Sequence, residues 1–286
     1  MEYVTLKNGV QMPILGFGTW PLKGDTLSNA LEYSYHAGCR LYDTAHLYEN
    51  EKDLGIAIKQ RNIKRETLFL SSKIQAVQYH GRLRYLFLNK QSVSKAYRKS
   101  CKELQTSYLD LFLLHSPFKD YIKAYGELIE LLKLEKVKAI GVCNCNIHQL
   151  KSIYKKYGEY PMINQIELHP FNQQKEIYEF CRSNGIQVEA YSPFAHGVIM
   201  NELMCNDILT SIAKTHNKTV TQIIIRWLIQ LKIVVIPRST SKEHIEENYN
   251  VFDFHLSENE MEMIKVLDRK EAHSRFAKSQ MNNERQ

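Results

Sequence analysis

Eight short apolar runs, separated by stretches with helical periodicity, constrain this 286-residue chain more than any other feature. The runs are Ile14–Phe17, Leu41–Ala45, Leu68–Lys73, Leu109–His115, Ala139–Asn144, Met162–Leu168, Gln187–Ser192 and Ile233–Arg238. The periodic stretches are Ser28–His36, Glu51–Arg61, Ser92–Leu104, Tyr121–Leu134, Ile147–Tyr157 and Gln173–Ser183, with Asp207–His216 and Val220–Leu231 both preceding the last run. A short continuous apolar run is how a strand covered on both faces reads. Strands that alternate with helices argue for a parallel α/β sheet. Eight such units in 286 residues fit a closed (β/α)8 TIM barrel better than an open doubly wound sheet. Ahead of them, Val4–Met12 carries Asn8-Gly9, which suits the positive φ angles of a tight turn. This segment is expected to form a β-hairpin that closes the bottom of the barrel. No Pro/Gly/Ser-rich linker interrupts the pattern, so residues 1–286 are expected to form a single domain, with a polar, flexible tail over 269–286.

Composition removes several classes. An apolar fraction of 44% and a charged fraction of 24% are ordinary for a soluble globular chain. No apolar run nears the roughly 20 residues that span a bilayer. The chain opens Met1-Glu-Tyr-Val-Thr5, without a basic stretch leading into an apolar one. No secretory signal is visible, and a cytoplasmic location is expected. The six cysteines are scattered and read as reduced thiols. The net charge of +7 favours an anionic ligand. Lys and Arg are spread along the chain, with no basic stripe interleaved with aromatics, so no nucleic-acid partner is expected.

Active sites of such barrels lie at the C-terminal ends of the strands. In order, those ends carry Gly18-Thr19-Trp20, Asp43 with Tyr48, Lys73, His115, Cys143-Asn144, Gln165, Tyr191-Ser192 and Arg238-Ser239-Thr240. Polar groups far apart in sequence thus converge on one rim. Asp43 and Tyr48 are the acid and the phenol that a proton-transfer site needs. A tyrosine, with a pKa ordinarily about 10, donates its proton efficiently only where a cation near its oxygen lowers that value. Lys73 ends a buried strand and needs a partner; Asp43, on the neighbouring strand, is the natural one. The expected arrangement is that Asp43 holds Lys73, Lys73 depresses the pKa of Tyr48, and His115 orients a substrate carbonyl by hydrogen bonding to its oxygen.

From Val4 to about Asp268 the chain resembles the aldo-keto reductase family. The segment Gly38-x-Arg-x-x-Asp43-Thr-Ala-x5-Glu51-x-x-Leu-Gly55 is similar to the family's signature. Met12-Pro-x-x-Gly-x-Gly-Thr-Trp20, Leu113-Leu-His115-x-Pro117, Asn164-Gln165-x-Glu-x-His-Pro170, Ala190-Tyr-Ser-Pro193 and Ile236-Pro-Arg-Ser239 follow in the family's order. The resemblance implies a (β/α)8 barrel that binds NADPH without a Gly-x-Gly-x-x-Gly loop, and none is present. It implies Asp43, Tyr48, Lys73 and His115 as catalytic tetrad, hydride transfer to an aldehyde or ketone, and proton delivery by Tyr48. It places the cofactor against Gly18, Thr19, Trp20 and Asp43. Cys143, Asn144 and Gln165 fall at the carboxamide, and Tyr191 under the nicotinamide ring. Ser192, Pro193 and Phe194 fall along the pyrophosphate, and His196 is a further implied cofactor contact. Arg238, Ser239, Thr240 and His244 fall at the 2′-phosphate, Glu247 and Asn248 at adenine, and Ile236 and Pro237 are further implied cofactor contacts. Arg238 offers a bidentate fork there, and the two hydroxyls add donors. Trp20, Tyr48, Gln75, His115 and Ser116 are the implied substrate contacts. A monomer is the branch's common state. The general pattern is closest to the diketogluconate reductase and prostaglandin F synthase-like branch, whose substrates include keto-sugar acids, methylglyoxal-like aldehydes and prostaglandin endoperoxides.

Several positions depart from the family pattern. Cys143 replaces a serine, which weakens one carboxamide contact. His244 replaces a second arginine, which softens the NADPH preference and leaves NADH as the weaker alternative. Ser116 and Gln75 stand where tryptophans are common, so a more open, more polar pocket is expected. The stretch from Gln75 to Gln91 is longer than usual and rich in Arg, Tyr and His, and reads as an anion-attracting lid. The sparse apolar content after Asp268 argues against a full specificity loop. His169 reads as a structural loop residue, and His46 and His196 as surface residues near the cleft. Other readings stay open: Asp43 and Lys73 as a purely structural pair, a cofactor-binding regulatory or structural protein of the same family, or an unrelated barrel hydrolase. Cys143 and Cys145 have no Cys/His partners at metal-site spacing, so no metal is expected.

Overall fold

The apolar runs become strands because each is covered on both faces, by the barrel interior and by the helix that follows. The computed structural model describes residues 2–74, 93–274, 277, 278 and 280. Hairpin strands β1 (Tyr3–Thr5) and β2 (Gln11–Pro13) pair antiparallel, with Val4 opposite Met12. Eight parallel strands follow: β3 (Gly16–Gly18), β4 (Leu41–Asp43), β5 (Phe69–Ile74), β6 (Leu109–Leu114), β7 (Val137–Cys143), β8 (Ile163–Glu167), β9 (Gln187–Tyr191) and β10 (Val234–Val235). Each pairs with the next in sequence order. A parallel bridge from Leu15 to Val235, and a hydrogen bond from Gly18 N–H to Pro237 O at 3.0 Å, join the first to the last. The sheet therefore closes into the (β/α)8 barrel.

The hairpin lies under the barrel but turns differently from a two-residue Asn-Gly turn. Leu6 and Val10 close a longer loop, with Leu6 N–H donating to Val10 O at 2.9 Å, and only Gly9 takes a positive φ, +87°. Asn8 is used elsewhere: its Nδ2 donates to Lys138 O at 2.8 Å, near the start of β7. Lys7 Nζ donates to Tyr160 O, just ahead of β8. Together with the buried Leu6 and Met12, these contacts hold the hairpin against the N-terminal ends of the strands.

The helices are α1 (Gly24–His36), α2 (Glu51–Gln60), α3 (Val93–Glu103), α4 (Tyr121–Lys133), α5 (Ile147–Tyr157), α6 (Lys175–Ser183), α7 (Gly197–Met204), α8 (Asp207–His216), α9 (Val220–Gln230), α10 (Lys242–Tyr249) and α11 (Glu258–Lys265). The ends of several follow capping chemistry. Asn146 and Gln149 form a reciprocal capping box for α5, as Thr219 and Gln222 do for α9 and Ser257 and Glu260 for α11. Helix α1 begins four residues before the periodic stretch does, because Asp53 of α2 accepts the Gly24 N–H at 2.7 Å. Gly55, in the signature, lets α2 sit directly on the end of α3: a Cβ there would lie 2.4 Å from Glu103 O. Helix α9 is buried from Gln222 through Ile229, so its apolar content covers more than one stripe. Among the described residues, no helix is long and apolar enough to cross a membrane.

Candidate active site

The barrel delivers Asp43 and Lys73 to one point. Asp43 ends β4, and its register partner on β5 is Ser71, two residues before Lys73. Lys73 Nζ lies 2.5 Å from Asp43 Oδ1, 3.0 Å from Thr44 O and 3.3 Å from the Tyr48 hydroxyl. Burial works against the charge on Lys73, but the Asp43 carboxylate overcomes it and holds the ammonium well above the usual lysine range. Tyr48 closes a short 3-10 turn, His46–Tyr48. The loop carrying it is fixed by Asn50, whose Oδ1 accepts from Thr44 Oγ1 at 2.7 Å while its Nδ2 donates to Thr19 O and Leu22 O. His115, directly after β6, sets its ring edge-on to Tyr48 with centroids 5.6 Å apart. Burial, reinforced by the Lys73 charge, pushes His115 well below the ordinary imidazole range, so its ring is neutral.

One expectation is reversed. Lys73 does pull the Tyr48 pKa down, but burial is the larger effect, and the phenol is pushed up to about 12. Proximity to a cation was the right interaction; its size against desolvation is not visible from sequence order.

Behind the tetrad lies a polar relay. Gln165 Nε2 donates to Asp43 Oδ2 at 3.1 Å and to Glu189 Oε2 at 2.8 Å. Cys143 Sγ lies 3.7 Å from Gln165 Oε1. The Tyr191 hydroxyl donates to Asn144 Oδ1 at 2.9 Å, and Asn144 Nδ2 donates to His115 O at 3.3 Å. Asn144 takes the left-handed backbone, φ 56°.

These groups open into a cavity of about 660 Å³. Gly18, Thr19, Asp43, Tyr48 and His115 are among its lining residues. Asn144, Gln165, Tyr191 and the loop from Ser192 through His196 line it as well. Ile236 and the exposed Arg238 close it at the rim, where Trp20 also stands, about half exposed at 51%. Cys143 and Pro237 are buried outside the lining, and Ser116 does not line the cavity. Ser239, Thr240, His244, Glu247 and Asn248 lie further along, at the start of α10 and on it. Gln75 and the rest of 75–92 lie outside the described residues.

The model of the Aldo/keto reductase family matches residues 14–269. The chain belongs to the aldo/keto reductase family. It is 39% identical over 272 residues to the glyoxal reductase of Bacillus subtilis (strain 168), covering 94% of each chain. It is 39% identical over 267 residues to the 9,11-endoperoxide prostaglandin H2 reductase of Trypanosoma cruzi (strain CL Brener), covering 93% of this chain and 91% of that one. Among solved structures it superposes on MGS-M4, an aldo-keto reductase enzyme from a Medee basin deep-sea metagenome library, with a TM-score of 0.86 and 36% identity. That match covers 95% of this chain and 96% of the other.

This aldo/keto reductase also carries site residues that sequence reasoning missed. Glu189 is one: it is fully buried, and burial together with the Asp43 charge raises its pKa to about 8. It sits in an apolar run, where a lone acid is itself a signal. Leu47, Ala195, Met200, His273 and Ser274 also line the cavity. The last two lie in the expected flexible tail. In the described part of that tail the His273 and Ser274 N–H groups donate to Glu167. His46 is not a surface residue: its Nε2 lies 2.6 Å from Ser100 Oγ, and burial lowers its pKa to about 4. His169 is structural as expected, fully buried 3.3 Å from Glu167 Oε1.

Proposed function

We propose that this protein is an NADPH-dependent reductase of small aldehydes and ketones. The observation that carries the reading is Lys73, buried and held between the Asp43 carboxylate and the Tyr48 hydroxyl. The donor set fits the cofactor: Asn144 and Gln165 offer amides to a carboxamide, Tyr191 offers a ring face, and exposed Arg238 leads to the hydroxyls of Ser239 and Thr240 for a phosphate. When bound, the nicotinamide supplies the hydride. The chain's own residues handle charge and protons. His115, neutral, donates an N–H to the carbonyl oxygen and fixes its position. Tyr48 delivers its proton to that oxygen as negative charge develops. A phenol at about 12 is fully loaded at neutral pH, and an alkoxide is far more basic than the phenolate left behind. Lys73, 3.3 Å away, stabilises that phenolate, and Asp43 keeps Lys73 charged and in place. The relative named for glyoxal reduction supports small carbonyl compounds as the class to test first. Loss of NADPH absorbance with a panel of small aldehydes and dicarbonyls tests the reading. A purified, folded protein that oxidises no NADPH with any of them would overturn it.

A further inference from the structure

After α11 the chain returns to the barrel mouth and is tied there by one buried carboxylate. Arg269 and Glu271 N–H groups donate to Phe171 O at 3.1 and 3.0 Å, which brings the segment onto the loop after β8. Glu167, the last residue of β8, is fully buried. Its two oxygens accept from consecutive backbone N–H groups, Oε1 from His273 at 2.5 Å and Oε2 from Ser274 at 2.6 Å. Burial alone would raise the Glu167 pKa. The donors from His169, His273 and Ser274 outweigh it and hold the carboxyl at about 2, ionised at any ordinary pH. Ser274 passes the constraint on: its Oγ lies 2.8 Å from the Tyr191 hydroxyl, which in turn donates to Asn144. Further on, Gln280 Nε2 donates to Cys145 O at 3.0 Å, across the mouth on the β7 side.

We propose that Glu167 is a positioning residue: it latches the segment carrying His273 and Ser274 across the cavity mouth, and so fixes the Tyr191 ring and the His273 side chain that a substrate meets. The effect on catalysis rests on the reading of this cavity as the cofactor and substrate site. A carboxylate suits the task because it offers two acceptor oxygens and no donor to two adjacent N–H groups.

Glu167→Gln keeps the shape but turns one acceptor into an N–H2 group facing an N–H. Hydrogen–deuterium exchange at His273 and Ser274 is expected to rise by about tenfold or more, since charge-assisted hydrogen bonds are lost. KM for a small aldehyde is expected to rise by about tenfold, with kcat within about twofold, because the tetrad is untouched. A merely structural defect would lower the active fraction, and with it kcat, while leaving KM unchanged. Should Glu167→Gln fail to fold, His273→Pro deletes one of the two donors, and since proline has no N–H the readout is then exchange at Ser274 alone, expected to rise in the same way. Unchanged exchange at Ser274, or a loss confined to kcat, would overturn the latch. Exchange needs no turnover, so it judges the latch even if the wild-type protein reduces no carbonyl compound.

Discussion

Glu189 Oε2 accepts a 2.8 Å hydrogen bond from the Gln165 amide, whose same nitrogen also donates to Asp43. One amide thus serves two buried acids. Only one of them, Asp43, has a cation at its other oxygen. Burial first, and the Asp43 charge second, raise the Glu189 pKa to about 8. The folded protein therefore keeps a proton on Glu189 that the unfolded chain releases near the ordinary carboxyl value of 4.5. Stability from this group is fully present below about 4.5 and is lost as pH rises through about 8. Glu189→Gln removes that dependence. Urea unfolding at pH 5 and pH 8.5 should show wild type losing more stability across the interval than the variant, by on the order of a few kcal/mol. Equal losses would mean that Glu189 is ionised throughout.

Tyr48→Phe deletes the proton donor and keeps the ring against His115. Reduction is expected to fall by about 10²–10⁴-fold. The NADPH dissociation constant, followed by quenching of intrinsic fluorescence, should change little, because the groups assigned to the cofactor are elsewhere. Undiminished turnover would remove Tyr48 from the proton path.

Gly55→Ala tests the packing of α2 on α3. The new Cβ would stand 2.4 Å from Glu103 O and 2.8 Å from Leu104 backbone atoms, which have no flexible end to move aside. Destabilisation of about 1–3 kcal/mol is expected from overpacking. It would be read as a lower urea midpoint at unchanged slope. A midpoint equal to wild type would show that the helices separate without cost.

The barrel was legible because strands covered on both faces and capped helices leave local marks. The meeting of Asp43 and Lys73 was legible because they end neighbouring strands. Helices α7 and α10 were not, since Gly197 opens one and the other exposes half of its residues. Helix α11 had a readable Ser257/Glu260 capping box, but only Ile264 on it is buried, so the apolar signal was faint. The His273–Glu167 contact was invisible for another reason. It is made by a backbone N–H 106 positions away, which any residue but proline supplies. The elevated Tyr48 pKa needed the amount of burial, which spacing does not contain.

Arg238 lines the cavity at its rim and is exposed, while Ser239 and Thr240 follow it toward the N-terminus of α10. Ser241 caps that helix by accepting from His244 N–H at 3.3 Å, so His244 is held in the first turn. If this corner receives the 2′-phosphate, the charge that matters most is the guanidinium of Arg238, since the remaining donors are neutral hydroxyls and amides. Arg238→Ala should then raise the KM for NADPH by about 10–100-fold, the range of a lost charge-assisted hydrogen-bonded pair. The KM for NADH, which has no phosphate there, should move by less than about twofold. The effect on NADPH should shrink as salt is added, because the site is exposed and its field is screened. Steady-state kinetics with both cofactors at two ionic strengths checks all three expectations. Equal losses for NADPH and NADH would place the 2′-phosphate away from Arg238 and turn attention to His244.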